Sequence, residues 1–177
     1  MKIASFMWRK GTPAALLTGC LLIGAAMPAY AGLGADAASV AADAVVMQGT
    51  MVTPEEASSG AVSSNALVSN APAPDYTVKS FVTPHGTTVR EYIGPDGTVF
   101  GVGWKGHRPP NLGTLLGSYY NEYTSGVAAQ AHKDLHRSTI TGPTTVVVTT
   151  GRFGHVQGHA YVPGLVPSDV DAKAVVK

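Results

Sequence analysis

Residues 76–104, YTVKSFVTPHGTTVREYIGPDGTVFGVGW, contain the strongest structural pattern in this chain. Apolar and β-branched residues alternate in three runs, which are separated by turn sequences at 84–86 and 94–97. Alternation with a period of two is typical of strands, and Pro, Asp and Gly are typical of the tight turns between them. The stretch therefore predicts three antiparallel strands joined as a meander.

The third run carries two glycines at its centre. Phe100, Val102 and Trp104 are predicted to share one face, whereas Gly101 and Gly103 leave the other face without side chains. A bare face favours the close approach of another segment, so we expect one to pack there. Residues 101–106 also match G-x-G-x-x-G, but that motif needs its glycines at a turn into a helix. No nucleotide is predicted, and no other cofactor.

Two further patterns follow the meander. Asn111 is a predicted helix N-cap, and apolar residues recur at helical spacing from Leu112 to Tyr123. Residues 144–150 and 153–162 alternate again and predict a hairpin with its turn at Gly151-Arg152. The fold prediction is α+β: a small antiparallel sheet of about five strands with one principal amphipathic helix packed on it. An incomplete barrel is the alternative.

The first 31 residues are typical of a secretory signal peptide. Lys2, Arg9 and Lys10 precede an apolar run at 14–26, and Ala29-Tyr30-Ala31 is a cleavage signature. Cys20, the one cysteine in the chain, ends a lipobox-like Leu-Thr-Gly-Cys, which makes a lipid-anchored protein the alternative. The prediction is an exported protein, periplasmic or secreted, with no membrane span after the signal is removed.

The rest of the chain divides by composition. Residues 32–75 are rich in Ala, Ser and Pro and predict a flexible leader; residues 76–167 predict the folded α+β domain, and 168–177 a C-terminal tail. Removing the signal leaves nine Lys and Arg against 11 Asp and Glu, a formal charge of −2. Such a balance predicts no basic field that would attract nucleic acid or anionic lipid.

Histidines provide the candidate sites. On the last predicted strand, one face carries His155, Gln157, His159 and Tyr161, which form a candidate ligand or partner surface. An alternative places His155 and His159 with Glu91 in a hydrolase-like site that only the fold could assemble.

A metal site is the third interpretation. His132 and His136 are four residues apart, a spacing that puts two imidazoles on one face of a helix. A metal site needs three or four protein ligands, and no cysteine remains after the signal. We therefore expect no bound metal.

Four stretches resemble one bacterial family of exported proteins, the domain of unknown function 2844 family. They are Arg90-Glu91-Tyr92, Gly97 to Trp104, Leu115 to Tyr119, and Gly158 to Pro163. The chain departs from the family pattern in its long Ala/Ser-rich leader and at Gly101 and Gly103, where we expect larger residues. The resemblance implies an exported protein of uncharacterised activity and supplies no catalytic or binding residues.

The sequence favours a non-enzymatic accessory module of the envelope or periplasm. No nucleophile motif, metal quartet or cofactor motif follows the signal, which supports binding rather than catalysis. The expected partner is an envelope protein or a small ligand, and not nucleic acid.

Export gives the first testable prediction. Because the N-terminus has all three parts of a signal peptide, the protein in an envelope fraction should begin at Gly32. Intact-mass spectrometry measures this directly. A diacylglyceryl group on Cys20 would contradict the prediction and establish the lipid-anchored alternative.

Overall fold

The computed structural model describes residues 32–52, 76–130 and 136–177 of the 177-residue chain. The predicted signal peptide, Cys20 and His132 lie outside the described residues. Within the described ranges, no helix combines the length and the apolar character that crossing a membrane requires.

The protein is built on one antiparallel sheet of seven strands in the order β1-β2-β3-β4-β7-β6-β5. The strands are β1 (Thr50–Val52), β2 (Thr77–Val82), β3 (Thr88–Ile93), β4 (Val99–Gly106), β5 (Arg137–Thr141), β6 (Val146–Arg152) and β7 (His155–Tyr161). The chain leaves β4 at the centre, crosses to β5 at the far edge, and returns through β6 and β7. Strands β1 and β5 are the edges, so the sheet is open.

Short helices accompany the sheet. They are α1 (Ser39–Val46), α2 (Leu112–Leu116), α3 (Tyr120–Ala129) and α4 (Ala172–Val175), with a 3-10 turn at Gly117–Tyr119 that joins α2 to α3. As predicted, Asn111 caps α2, because its side chain accepts a hydrogen bond from the Thr114 N–H at 3.2 Å. Leu115 and Leu116 of α2 are fully buried, whereas α3 has no buried residue.

The fold-class prediction is wrong. The structure has a seven-stranded sheet and several short helices, not about five strands with one principal amphipathic helix, and it is mostly sheet. The two missed strands have weak patterns: β1 has three residues, and β5, Arg-Ser-Thr-Ile-Thr, has one apolar residue. The barrel alternative is wrong as well, because β1 and β5 do not pair.

Strand β4 is buried on both faces, and a β-bulge determines which side chain lies on which face. Tyr92 is opposite Gly101 and Ile93 is opposite Val99, so Phe100 is the extra residue. Val102 and Trp104 pack on the helix face, but Phe100 packs on the other face with Tyr92. The prediction that Phe100 shares a face with Trp104 is therefore wrong.

The C-terminal segment covers the glycine face of β4. A Cβ at Gly101 would lie 2.7 Å from Val176 Cγ2, and a Cβ at Gly103 would collide with the backbone of Lys177. The Tyr92 hydroxyl donates to the Lys177 carbonyl at 3.2 Å and accepts from its N–H at 3.3 Å. The expectation that a segment packs against this face is confirmed.

The first described segment also packs on the sheet. Leu33 and Val40 are buried, and the Leu33 N–H donates to the Leu115 carbonyl at 2.8 Å. The Gly34 N–H reaches the Val99 carbonyl at 2.8 Å, and β1 pairs with β2. The prediction of a flexible leader over 32–75 thus does not hold for residues 32–52; residues 53–75 lie outside the described part.

Replacing Gly101 by Ala should destabilise the protein by about 1–3 kcal/mol, the usual effect of overpacking a core. The added methyl group would displace the buried Val176 side chain from β4. Urea unfolding followed by circular dichroism measures the change. Gly164→Ala is the control, because nothing lies within 4 Å of a Cβ there. Equal stability of the two variants would contradict the packing of the C-terminal segment on β4.

Candidate functional site

Two adjoining clefts of about 630 and 710 Å³ lie at one end of the sheet, where β4 ends and the β6–β7 hairpin turns. Both clefts have His107, His136, Arg152 and Phe153 in their walls. Their volumes are in the range of about 300–1,000 Å³ that is typical of ligand sites. We call this region the basic end, after the Lys and Arg side chains around it.

The basic end collects cationic side chains from four parts of the chain. They are Lys105 of β4, Arg108 of the following loop, Arg137 of β5 and Arg152 of β6, and the side chains of His107, His136 and His155 lie in the same walls. None of the Asp and Glu residues among the described residues is in the walls of either cleft. The charge balance alone does not reveal this cluster: the formal charge after the signal is −2, yet four of the eight described Lys and Arg residues line these clefts.

A close backbone contact fixes the loop that carries His107 and Arg108. Gly106 packs against Thr87 so tightly that a Cβ would collide with it. The Thr87 hydroxyl donates a 2.7 Å hydrogen bond to the Arg108 carbonyl, and Thr87 is 1% exposed. The scaffold thus holds the loop while the side chains of His107 and Arg108 stay exposed.

Two of the three histidines at this end approach each other, and the third approaches a backbone carbonyl. The rings of His107 and His155 have their centroids 6.0 Å apart, with 31° between their planes. His136 Nδ1 lies 3.4 Å from the Gly151 carbonyl oxygen at the adjacent hairpin. Across the described ranges, no three His, Cys, Asp or Glu side chains are grouped as a metal site would need. The predicted pairing of His136 with His132 lies outside what the structure describes.

Phe153 occupies the turn of the β6–β7 hairpin and is fully exposed, at 108% of the reference surface. The sequence placed this turn at Gly151-Arg152, but it lies at Phe153-Gly154, where Gly154 has a φ of +80°. Left-handed backbone of this kind favours glycine, so a Phe-Gly pair between alternating runs was the signal that could have identified the tip.

The predicted surface on β7 divides into two environments. His155, Gln157, His159 and Tyr161 alternate along one face of the strand, but only His155 and Gln157 are exposed at the basic end. Tyr161 is 5% exposed within the core cluster of Val176, and the His159 ring stacks on it at 6.4 Å. Burial lowers the pKa of His159, so it favours the neutral imidazole.

The hydrolase-like site is not assembled. Glu91 of β3 lies opposite Val102 of β4, which in turn lies opposite Ala160 of β7. Val102 and Ala160 pack in the core on the helix face of the sheet. His155 and His159 point to the other face of β7, because neighbouring residues on a strand alternate. The sheet therefore separates Glu91 from both histidines, and the proposed combination of these three residues is wrong.

Glu91 instead meets Asp43 of α1. Glu91 is 0% exposed and Asp43 is 1% exposed, and apart from a proton shared between the two, no donor among the described residues reaches either Glu91 oxygen or Asp43 Oδ2. Lys79 lies opposite Glu91 in β2, but its ammonium donates to the Ala37 carbonyl at 2.9 Å. Glu91 therefore has no hydrogen bond to the cross-strand Lys79.

The two carboxyl groups must share a proton to bond to each other. Burial, the Asp43 charge and the bond to Asp43 raise the pKa of Glu91 from 4.5 to about 8, against the attraction of Lys79. Burial raises the pKa of Asp43 from 3.8 to about 7, although its bond to Glu91 opposes the shift. This pair fastens α1 to the sheet, and no sequence spacing links residues 43 and 91.

Glu122 has the opposite electrostatic behaviour. It accepts hydrogen bonds from the backbone N–H and hydroxyl groups of Thr144 and Thr145, and so joins α3 to the β5–β6 turn. Partial burial raises the pKa of Glu122, but these hydrogen bonds lower it by more, and the net result is a pKa of about 2. Glu122 is therefore a structural carboxylate.

The fold and the basic end together define the class of protein: an open antiparallel sheet with α1 and α2 on one face, the C-terminal segment with α4 on the other, and a cationic cleft region at one end. The sequence profile of one family, described as "Protein of unknown function (DUF2844)", matches residues 29–175, and the chain belongs to that family. This confirms the resemblance found in the sequence. Comparison with curated proteins found no match, and comparison with solved structures found none.

The buried acid pair predicts an unusual dependence of stability on pH. Both pKa values are raised in the folded state, so folding takes up protons and the free energy of unfolding falls as pH rises from about 4 to about 8. Each proton contributes a slope of about 1.4 kcal/mol per pH unit. Glu91→Gln should flatten this slope and be more stable than the wild type at alkaline pH.

Urea unfolding at a series of pH values measures the effect, and Glu122→Gln is the control of opposite sign. The lowered pKa of Glu122 means that its contribution is present at neutral pH and is lost only as pH falls toward about 2. Glu122→Gln should therefore be destabilised at neutral pH. A Glu91→Gln variant that keeps the wild-type slope would contradict proton sharing.

Proposed function

We propose that this protein is an exported accessory module of the cell envelope that binds an anionic ligand or partner at its basic end, without chemical conversion of what it binds. The signal-peptide pattern supports export. The observation that carries the binding proposal is the collection of Lys105, Arg108, Arg137 and Arg152 around two clefts with no described carboxylate in their walls. An anion placed there would meet cations from several sides.

The side chains at the basic end suit binding better than catalysis. An acid/base mechanism commonly pairs a histidine with a carboxylate. The buried carboxyls Glu91 and Asp43 lie in the helix-side core, and Glu122 is held by Thr144 and Thr145. Arginine, by contrast, binds carboxylate and phosphate groups through a planar fork of donors, and three arginines line one cleft.

A polyanion titration tests this function. Isothermal titration calorimetry measures binding to the whole basic end, including the cleft that Lys105 lines, and the fluorescence of Trp104, the one tryptophan after the predicted signal, reports occupancy of the other cleft. Dextran sulfate should change the emission and neutral dextran should not. Lys105→Glu should weaken the binding by roughly fivefold or more, because it reverses a charge at the basic end.

Lys173→Glu is the matched control for that titration. Lys173 is also an exposed lysine, but it lies in α4 and lines neither cleft. The two variants carry the same charge change, so any general effect of net charge is equal in both. An equal loss in the two variants, or equal binding of neutral dextran, would contradict a specific anion site at the basic end.

A further inference from the structure

The hairpin tip combines an exposed aromatic ring with surrounding cations. Phe153 is 108% exposed, and the residue before it, Arg152, is exposed as well. We propose that this tip docks on a membrane surface of anionic lipid, with Phe153 entering the interface and the cations contacting headgroup phosphates. The inference rests on the proposed function and names the partner that the basic end binds.

The position of Phe153 distinguishes it from ordinary exposed apolar residues. Single apolar side chains on a surface are common and need no explanation. Phe153 lies in a two-residue turn at the limit of the sheet and in the walls of both clefts, among Lys105, Arg108 and Arg152. An aromatic ring flanked by Lys and Arg is the arrangement that peripheral membrane segments use at the headgroup boundary.

A lipid surface fits this end better than a small free anion. A free phosphate would use part of the charge and leave the Phe153 ring in water. A surface presents many phosphates and an apolar layer beneath them, so Lys105, Arg108, Arg137 and Arg152 can be engaged together with the ring. No described carboxylate lines the clefts to oppose such an approach.

Vesicle co-sedimentation of the chain that begins at Gly32 tests the proposal. The protein should bind vesicles containing phosphatidylglycerol and should not bind vesicles of phosphatidylcholine alone, and added salt should weaken the binding. Phe153→Ala should lower the affinity by roughly tenfold or more, because burial of one Phe side chain is lost. Val45→Ala is the control: Val45 is 76% exposed, lies on α1 and lines neither cleft.

A second readout places the ring in the lipid. Phe153→Trp should gain blue-shifted emission on anionic vesicles and should be quenched by brominated acyl chains. Glycerophosphate, which has the phosphate without the acyl chains, should compete only weakly. If it binds as well as the vesicles do, the ligand is free phosphate and the membrane proposal is overturned.

The remaining outcomes separate this inference from the proposed function. Wild-type binding of Phe153→Ala, or equal binding of phosphatidylcholine vesicles, overturns the membrane proposal. If the protein does not bind vesicles but still binds dextran sulfate, the membrane proposal is overturned and the proposed anion site is retained. If the chain binds neither vesicles nor dextran sulfate, both proposals fail. Circular dichroism of each variant confirms that the substituted turn leaves the fold intact.

Discussion

The burial of β4 on both faces is the constraint on which the rest of this structure depends. It is the central strand of seven, and six of its eight residues are buried. Val102 and Trp104 need an apolar cover on one face, and Gly101 and Gly103 admit a backbone on the other. The hairpins that contain β4 do not supply either layer. Residues 32–52 and α2 cover the helix face, and the C-terminal segment covers the glycine face.

This arrangement draws distant parts of the chain onto one strand. On the helix face, the buried residues of α1 and α2 pack in one cluster with Trp104. On the other face, Val176 packs with Tyr92 and Phe100, and the Tyr92 hydroxyl bonds the backbone of Lys177. The buried carboxyl groups of Asp43 and Glu91, each with a raised pKa, interact in the same region. Both described ends of the chain are therefore part of the core.

The same constraint leaves the basic end available for binding. Strand β4 leaves the core at Lys105, and Thr87 then holds the loop by bonding the Arg108 carbonyl. The β6–β7 hairpin extends beside it and ends at Phe153. Binding residues on short loops held by a rigid sheet are a common arrangement in proteins. Here that arrangement brings cations together that are far apart in sequence.

A structural feature could be predicted from the sequence where neighbouring residues encode it. The turns at 84–86 and 94–97, the Asn111 cap and the bare glycine face are encoded by neighbouring residues, and the structure has them. The short strands β1 and β5 have too little alternation to be recognised, and the bulge at Phe100 is a property of strand pairing.

The candidate site was predictable only in part, for the same reason. His155 and Gln157 could be placed on one strand face from alternation alone. Lys105, Arg108, Arg137 and Arg152 belong to four separate segments, and a formal charge of −2 gives no indication that they converge. The meeting of Asp43 with Glu91 joins an assumed leader to the sheet, which no local pattern encodes.

The most direct test of the account is a map of backbone amide chemical shifts, recorded by NMR as the protein is titrated with anionic phosphatidylglycerol micelles. The central claim is that the functional surface lies at the basic end. The account predicts that the largest changes occur at Lys105–Arg108 and across the hairpin tip from Thr150 to Gln157, with little change near Val176. Chemical-shift changes concentrated at His159, Tyr161 and the C-terminal segment, with no change at the hairpin tip, would contradict the claim.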